Sequence, residues 1–312
     1  MARPEGSRHH LVDNGEQLKR RERAREPRVA RHAGESEVED FTRAFTALGQ
    51  LAYDGAQVSA SVIDLNTGRP VLAIDDRIVL PTASVGKILL LIEVSARMTA
   101  GDTSVHGIIE RNPLDPVRDS GLWRHLQVPA LPVADLAALV GASSDNLATN
   151  ALIERVGLSA VRARAESLGL RGTALLDVVR NTRGPDDAPQ LSVGSTAELS
   201  RLFAALARHE AVDPATSQRV MGWLSLGTDL SMVASAFGLD PLAHRGEDHG
   251  TLLVNKTGTD AGVRAEVGAL RGASRAVSYA VTVQFTDDSL ARRLRVLDAL
   301  RAVGTDLLEY VH

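Results

Sequence analysis

Apolar positions at helical spacing first appear at Phe41, Phe45, Leu48 and Leu51, which predicts a helix beginning near Glu39. The period then shortens. Val58, Ala60, Val62 and Asp64 alternate with smaller or polar neighbours, Asn66-Thr67-Gly68 supplies a turn, and residues 71–74 return as the second strand of a hairpin. After Pro81 a strongly apolar helix is expected over 84–98. From about 100 to 195 there is little strand character. Helical periodicity covers 133–140, 146–156 and 159–168, with Gly141, Gly157 and Gly169 as stops. Two more helices are expected at 195–207 and 214–224. Strand patterns return at 251–254, 263–270 and 277–285, and an amphipathic helix over 288–308 closes the chain.

The order is helix, two strands, helical insertion, three strands, helix. Strands separated by such an insertion can share one sheet if the insertion forms a second lobe. The pattern therefore predicts a two-lobed α/β (α+β) domain over 37–312, with an antiparallel sheet flanked by helices. Its α/β lobe would take 37–98 and 195–312, and an all-α lobe 99–194, with a site in the cleft between them. Residues 1–36 are dominated by Arg, Glu, Gly, Ser and Asn and read as a disordered charged tail. Its basic stretch from Lys19 to Arg31 is interrupted by Glu22 and Glu26, the pattern of a solvated tail, and His9-His10 does not make a metal site there.

Composition narrows the function. A net charge of −4 and 3% aromatic residues argue against nucleic acid or anionic membrane as the partner. The chain has no cysteine, which excludes disulfides, thiolate metal sites and a cysteine nucleophile. The best apolar run, 88–92, is far short of a membrane span. Arg20-Arg21 is followed by charge and not by the apolar segment of a secretion signal, so the sequence as written predicts a cytoplasmic protein, with secretion requiring a different start. A monomer acting on a small molecule, without metal or cofactor, is expected.

Charge type carries the chemistry. Of the 35 basic residues only three are lysine, at positions 19, 87 and 256. Arginine stays protonated in proteins, whereas a buried lysine can serve as a base. Lys87 closes Ser84-Val85-Gly86-Lys87 at a predicted helix start, where Ser and Lys share a face and unpaired N–H groups favour a developing oxyanion. Ser144-Asp145-Asn146 opens a second helix, where an N-cap alone would explain it; it also offers a hydroxyl for proton transfer and an amide for a substrate carbonyl. Lys256-Thr257-Gly258 falls at the end of an apolar strand, before Thr259-Asp260-Ala261-Gly262, and can present N–H groups and positive charge.

The ordered trio resembles the S-x-x-K, S-D-N and K-T-G signature of class A β-lactamases and penicillin-binding proteins. Residues 146–153 and 264–270 resemble the helix and strand that follow these motifs, and the resemblance spans about 40–312. It implies Ser84 as acylated nucleophile, Lys87 as activating base or proton relay, and Ser144 carrying a proton to the leaving nitrogen with help from Lys256. Asn146 would hold the substrate's side-chain amide, and Thr257 and Arg264 its carboxylate. The oxyanion hole would come from the N–H groups of Ser84 and Thr259, with Gly258 between the binding residues. Trp123 reads as a cleft wall or a core residue.

One element of the pattern is missing. Class A β-lactamases carry an E-x-x-L-N loop whose glutamate activates the deacylating water, but the corresponding stretch here, 175–185, places Arg180 near that position. Asp177, Asp186 and Asp187 are the nearby carboxylates and read as surface loop residues. Slow turnover of a β-lactam acyl-enzyme is the leading expectation. A D-Ala-D-Ala peptidase, an esterase, or a non-catalytic β-lactam sensor on the same scaffold are the alternatives.

Overall fold

The computed structural model describes residues 41–112, 117 and 120–312. The tail and the predicted helix start at Glu39 lie outside them. Helix α1 (Thr42–Tyr53) leads into β1 (Gln57–Asp64) and β2 (Pro70–Ile74), followed by a short β3 (Leu80–Pro81) and a 3₁₀ turn at Ala83–Gly86 that runs into α2 (Lys87–Thr99). Next come β4 (Ile108–Glu110), β5 (Ala130–Pro132), α3 (Val133–Ser143), α4 (Asn146–Val156), α5 (Leu158–Ser167), β6 (Ala174–Leu175) and β7 (Ser192–Gly194). The chain ends with α6 (Thr196–Ala207), α7 (Pro214–Leu224), β8 (Leu252–Asp260), β9 (Val263–Arg271), β10 (Ala276–Gln284) and α8 (Leu290–Val311).

The main sheet has the antiparallel order β2-β1-β10-β9-β8, which unites the N-terminal hairpin with the C-terminal strands and leaves β8 at an edge. Strand alternation divides its side chains between two cores. Val58, Ala60, Val62, Val277 and Val281 pack under α1 and α8, while Val254, Ala265, Val267 and Ala280 face the core built by α2 to α7. On the second face the small polar residues of β1 pair with α6: Ser59 Oγ lies 2.7 Å from Thr196 Oγ1, and Ser61 Oγ 2.9 Å from Ser200 Oγ. Such pairing removes the penalty for burying hydroxyls.

Two expectations change. The central region contains strands, β4 to β7, each of two or three residues and too short to leave a periodic signature. The K-T-G segment lies inside β8 and does not end it. The ladder with β9 continues through Lys256↔Val267, Thr257↔Glu266 and Thr259↔Arg264 to Asp260↔Val263, and the reversal occurs at Ala261-Gly262, where Gly262 has φ +65°. Backbone pairing, not apolarity, sets this strand's length. Among the described residues no helix is long and apolar enough to cross a membrane.

Candidate active site

Ser84 sits in the 3₁₀ turn before α2, one residue after Ala83, whose φ of +47° is in the left-handed region disfavoured for residues with a Cβ. The turn is held from both sides. Ser192 Oγ of β7 donates to Ala83 O (2.6 Å) and lies 2.7 Å from Thr82 Oγ1, while Thr82 N donates to Ser192 O (3.1 Å). A Cβ on Gly86 would fall 2.3 Å from Ser192 Cβ, and one on Gly258 of β8 would fall 2.2 Å from Thr82 O. Neither position can carry a side chain without displacing the backbone or side chain that holds Ser84. The close approach of Gly258 also brings the edge of β8 beside the turn, where strand N–H groups without a ladder partner are available.

The S-D-N segment divides its labour between two helices. Ser144 is the C-cap of α3, with φ +56°, and Asp145 is the N-cap of α4, accepting from Ala148 N at 2.9 Å. Its other oxygen accepts from Leu122 N (2.7 Å) and Trp123 N (2.8 Å), fixing the preceding loop. Trp123 is fully buried, so its place is the core and not a cleft wall.

Lys87 is fully buried. Its Nζ donates to Ser144 O (2.6 Å) and Asn146 Oδ1 (2.6 Å) and lies 3.1 Å from Ser144 Oγ. From the opposite side Lys256 Nζ reaches the same hydroxyl at 3.2 Å and donates to Thr257 O at 2.8 Å. Ser144 Oγ is therefore held between two buried amines. Burial, then the charge of Lys256, pushes Lys87 well below the usual lysine range, against an opposing pull from Asp145. Burial also lowers Lys256, to about 8, though Asp229 and Glu266 favour its charged form. Among the described residues no hydrogen bond joins Lys87 to Ser84.

Ser84, Ser144, Lys256, Thr257 and Thr259 line one cavity of about 270 Å³. Asn146 stands behind it through Lys87, and Gly258 against the nucleophile turn. Arg264 is not among the lining residues. Its Nη1 donates to the carbonyls of Asp260 (2.9 Å) and Val263 (2.7 Å), and the guanidinium lies over the Phe285 ring at 5.9 Å.

The cavity also contains Asp229, which the sequence motifs do not reveal. Thr257 Oγ1 donates to Asp229 Oδ2 (2.7 Å), and Asp229 Oδ1 accepts from Ser231 N (3.1 Å) and Ser231 Oγ (2.6 Å). Beneath it Asn255 Nδ2 bridges Asp229 O (3.3 Å) and Glu266 Oε1 (2.9 Å). Glu266 is buried and also accepts from Tyr279 OH (2.7 Å) and Val233 N (2.8 Å). Burial raises it to about 7 despite the opposing hydrogen bonds from Asn255, Tyr279 and Ala234 N. These residues come from separate segments, and only their polarity within apolar stretches marks them in the sequence.

Arg180 and the carboxylates near it form a network of their own. Asp177 accepts from Arg180 Nε (2.8 Å) and Arg183 Nη1 (2.7 Å), and Arg180 also pairs with Asp187 (3.1 Å). Burial pushes Asp177 up, but hydrogen bonds from Arg180, Val178 N and Arg183 outweigh it and hold the carboxyl below its usual range.

The chain belongs to the β-lactamase enzyme family, whose model matches residues 40–311. It is a serine hydrolase of the β-lactamase type with the class A fold. A β-lactamase from Sphaerobacter thermophilus superposes with a TM-score of 0.75 at 23% identity, covering 87% of this chain and 97% of that one. A β-lactamase from Xanthomonas campestris gives 0.71 at 17% identity, covering 87% and 100%. A mutant of PBP-A, in an acyl-enzyme complex with penicillin G, gives 0.69 at 18% identity, covering 86% and 95%. A search of curated proteins finds no match.

Proposed function

We propose that Ser84 is the nucleophile of this hydrolase and that it is acylated by β-lactams or related amides and esters. The observation supporting this most directly is the Ser144 hydroxyl held between Lys87 and Lys256 in the cavity that Ser84 lines. Ser84 Oγ attacks the acyl carbon and gives its proton to Lys87, which burial leaves neutral enough to take it. This contact closes as substrate fills the cavity. Negative charge developing on the carbonyl oxygen meets the N–H groups of Ser84 and Thr259. As the C–N bond breaks, the proton passes from Lys87 through Ser144 to the leaving nitrogen, and Lys87 returns neutral. Lys256 supplies positive charge beside Ser144 while that transfer occurs. Asn146 orients Lys87 from behind the cavity through its side-chain oxygen.

Deacylation is the slow half of the cycle in this reading. The cavity's only carboxylate among the described lining residues is Asp229 on β8's side, and the carboxylate of Asp177 is engaged by two arginines. The enzyme would therefore accumulate as a covalent adduct. Intact-mass measurement after mixing with penicillin G tests this: wild type gains the mass of the opened lactam, and Ser84→Ala does not. A wild-type enzyme unchanged in mass and producing no hydrolysed penicillin would refute the β-lactam reading.

A further inference from the structure

A cavity that takes an anionic ligand ordinarily presents an uncommitted cation or N–H and O–H donors at the place where the negative charge settles. Along the Thr257–Thr259 side of this cavity no uncommitted side-chain cation is present among the described residues, and the Thr259 hydroxyl and backbone N–H are the donors left to a ligand. The Thr257 hydroxyl is spent on Asp229 Oδ2, at 2.7 Å. Arg264, which the strand register sets opposite Thr259, is turned back onto two carbonyls and the Phe285 ring. Among the described residues no lysine or arginine forms a direct ion pair with Asp229; Lys256 and Arg264 feel its charge only from a distance. The only lining cation, Lys256, points to the opposite face of β8, towards Ser144.

The backbone at Asp229 is held by two contacts to other segments. Thr228 N donates to Ala142 O at the end of α3 (3.0 Å), and Asn255 Nδ2 donates to Asp229 O (3.3 Å). The carboxylate is thus a positioned feature of the cavity, exposed at its mouth. An anionic group seated on Thr257 and Thr259 would have to displace the Thr257 bond and then lie against a like charge. A neutral group meets no such repulsion, and a cationic one meets an attraction.

We propose that Asp229 is a specificity-determining residue that makes the enzyme select acyl donors whose group at the Thr257–Thr259 side is neutral or cationic over donors that are anionic there. The inference rests on the reading of Ser84 as nucleophile. It names a substrate class, uncharged or cationic esters and amides, that the S-x-x-K, S-D-N and K-T-G motifs do not specify.

Three probes differing in this group alone provide the test: benzylpenicillin, its methyl ester and its choline ester, which are anionic, neutral and cationic at one position. Rates of adduct formation at Ser84 are measured by intact mass for the full-length wild type and for Asp229→Asn, and each probe's rate is compared between the two proteins so that intrinsic reactivity cancels. The asparagine keeps the size and an acceptor for Thr257, and equal melting temperatures confirm the fold. The expected result is that Asp229→Asn raises the rate for benzylpenicillin relative to the choline ester by about tenfold, with the methyl ester between. In wild type the same ratio should move several-fold in that direction between about 10 mM and about 1 M salt, and stay flat in Asp229→Asn. Adducts at Ser84 with unchanged probe ratios in the variant, or ratios indifferent to salt in wild type, would overturn the role of Asp229 while leaving the nucleophile standing. Absence of both a Ser84 adduct and Ser84-dependent hydrolysis with all three probes would remove the nucleophile reading, and this inference with it.

Discussion

The two faces of β8 have been put to different uses. Towards the helical core the strand presents Lys256 and Gly258, one a buried cation beside Ser144 and the other a bare backbone against the nucleophile turn. On the other face it presents Asn255 and Thr257, tied to the carboxylates of Glu266 and Asp229, and the exposed Thr259. Period-two alternation alone separates the two sets. The comparison teaches that one short segment can assign proton handling to one side and charge selection to the other, with little steric cross-talk between neighbours in sequence.

The first way to break this division is at its most demanding point. Lys87→Arg puts a side chain that stays protonated where a neutral amine is needed, and should cut the rate of Ser84 adduct formation by ~10³-fold or more. Adduct formation at an unchanged rate would remove Lys87 from the proton path. Gly258→Ala comes next. Its Cβ would meet Thr82 O at 2.2 Å, so the variant should lose about 1–3 kcal/mol of stability and most of its acylation rate. A chemical-denaturation series read alongside adduct kinetics checks both.

Lys256→Arg should be milder, at about tenfold, because charge beside Ser144 is retained. Its pH profile is more telling than its size. With Lys256 near 8, wild-type acylation should decline as pH rises through 8, and the arginine variant should hold its rate to higher pH. A decline at the same pH in both proteins would assign that limb to another group.

The smallest effect on activity is expected from the other face. Glu266 holds a proton in the folded enzyme up to about 7, whereas the unfolded chain releases it near the ordinary 4.5. Its stabilising contribution is therefore complete below 4.5 and is lost as pH rises through 7, amounting to on the order of 3 kcal/mol. Glu266→Gln should flatten that part of the stability-against-pH curve relative to wild type, measured by denaturation between pH 4 and 8. An identical slope in both proteins would show that Glu266 titrates no differently folded than unfolded.

Much of this arrangement was legible in the sequence because it is local or periodic. The bounds of α4 and α7 follow from helical spacing between stops, and Ser84, Ser144 and Lys256 were marked by short motifs that the fold brings to one cavity. What was hidden depends on contacts between distant segments. Asp229 acquires its meaning from Thr257, 28 residues away, and Ser192 from Ala83, 109 residues away. The extent of β8 was concealed for a related reason: its outer half is polar and glycine-bearing, and is a strand only because β9 pairs with it. The place of Arg264 after K-T-G predicts a substrate contact, but side-chain direction at a strand end depends on which carbonyls lie within reach, and no motif encodes that.

The contact between Gly258 and the carbonyl of Thr82 has a consequence for anyone remodelling this enzyme. It makes permissiveness uneven at single-residue resolution along one strand. Position 258 is closed to every other amino acid, while the side chains at 259 and 229 are exposed and, among the described residues, make no hydrogen bond to the turn that holds Ser84. A combinatorial library aimed at new acyl donors would do best to diversify those two sites together and keep 258 fixed, since randomising the whole K-T-G-T stretch would yield mostly misassembled protein.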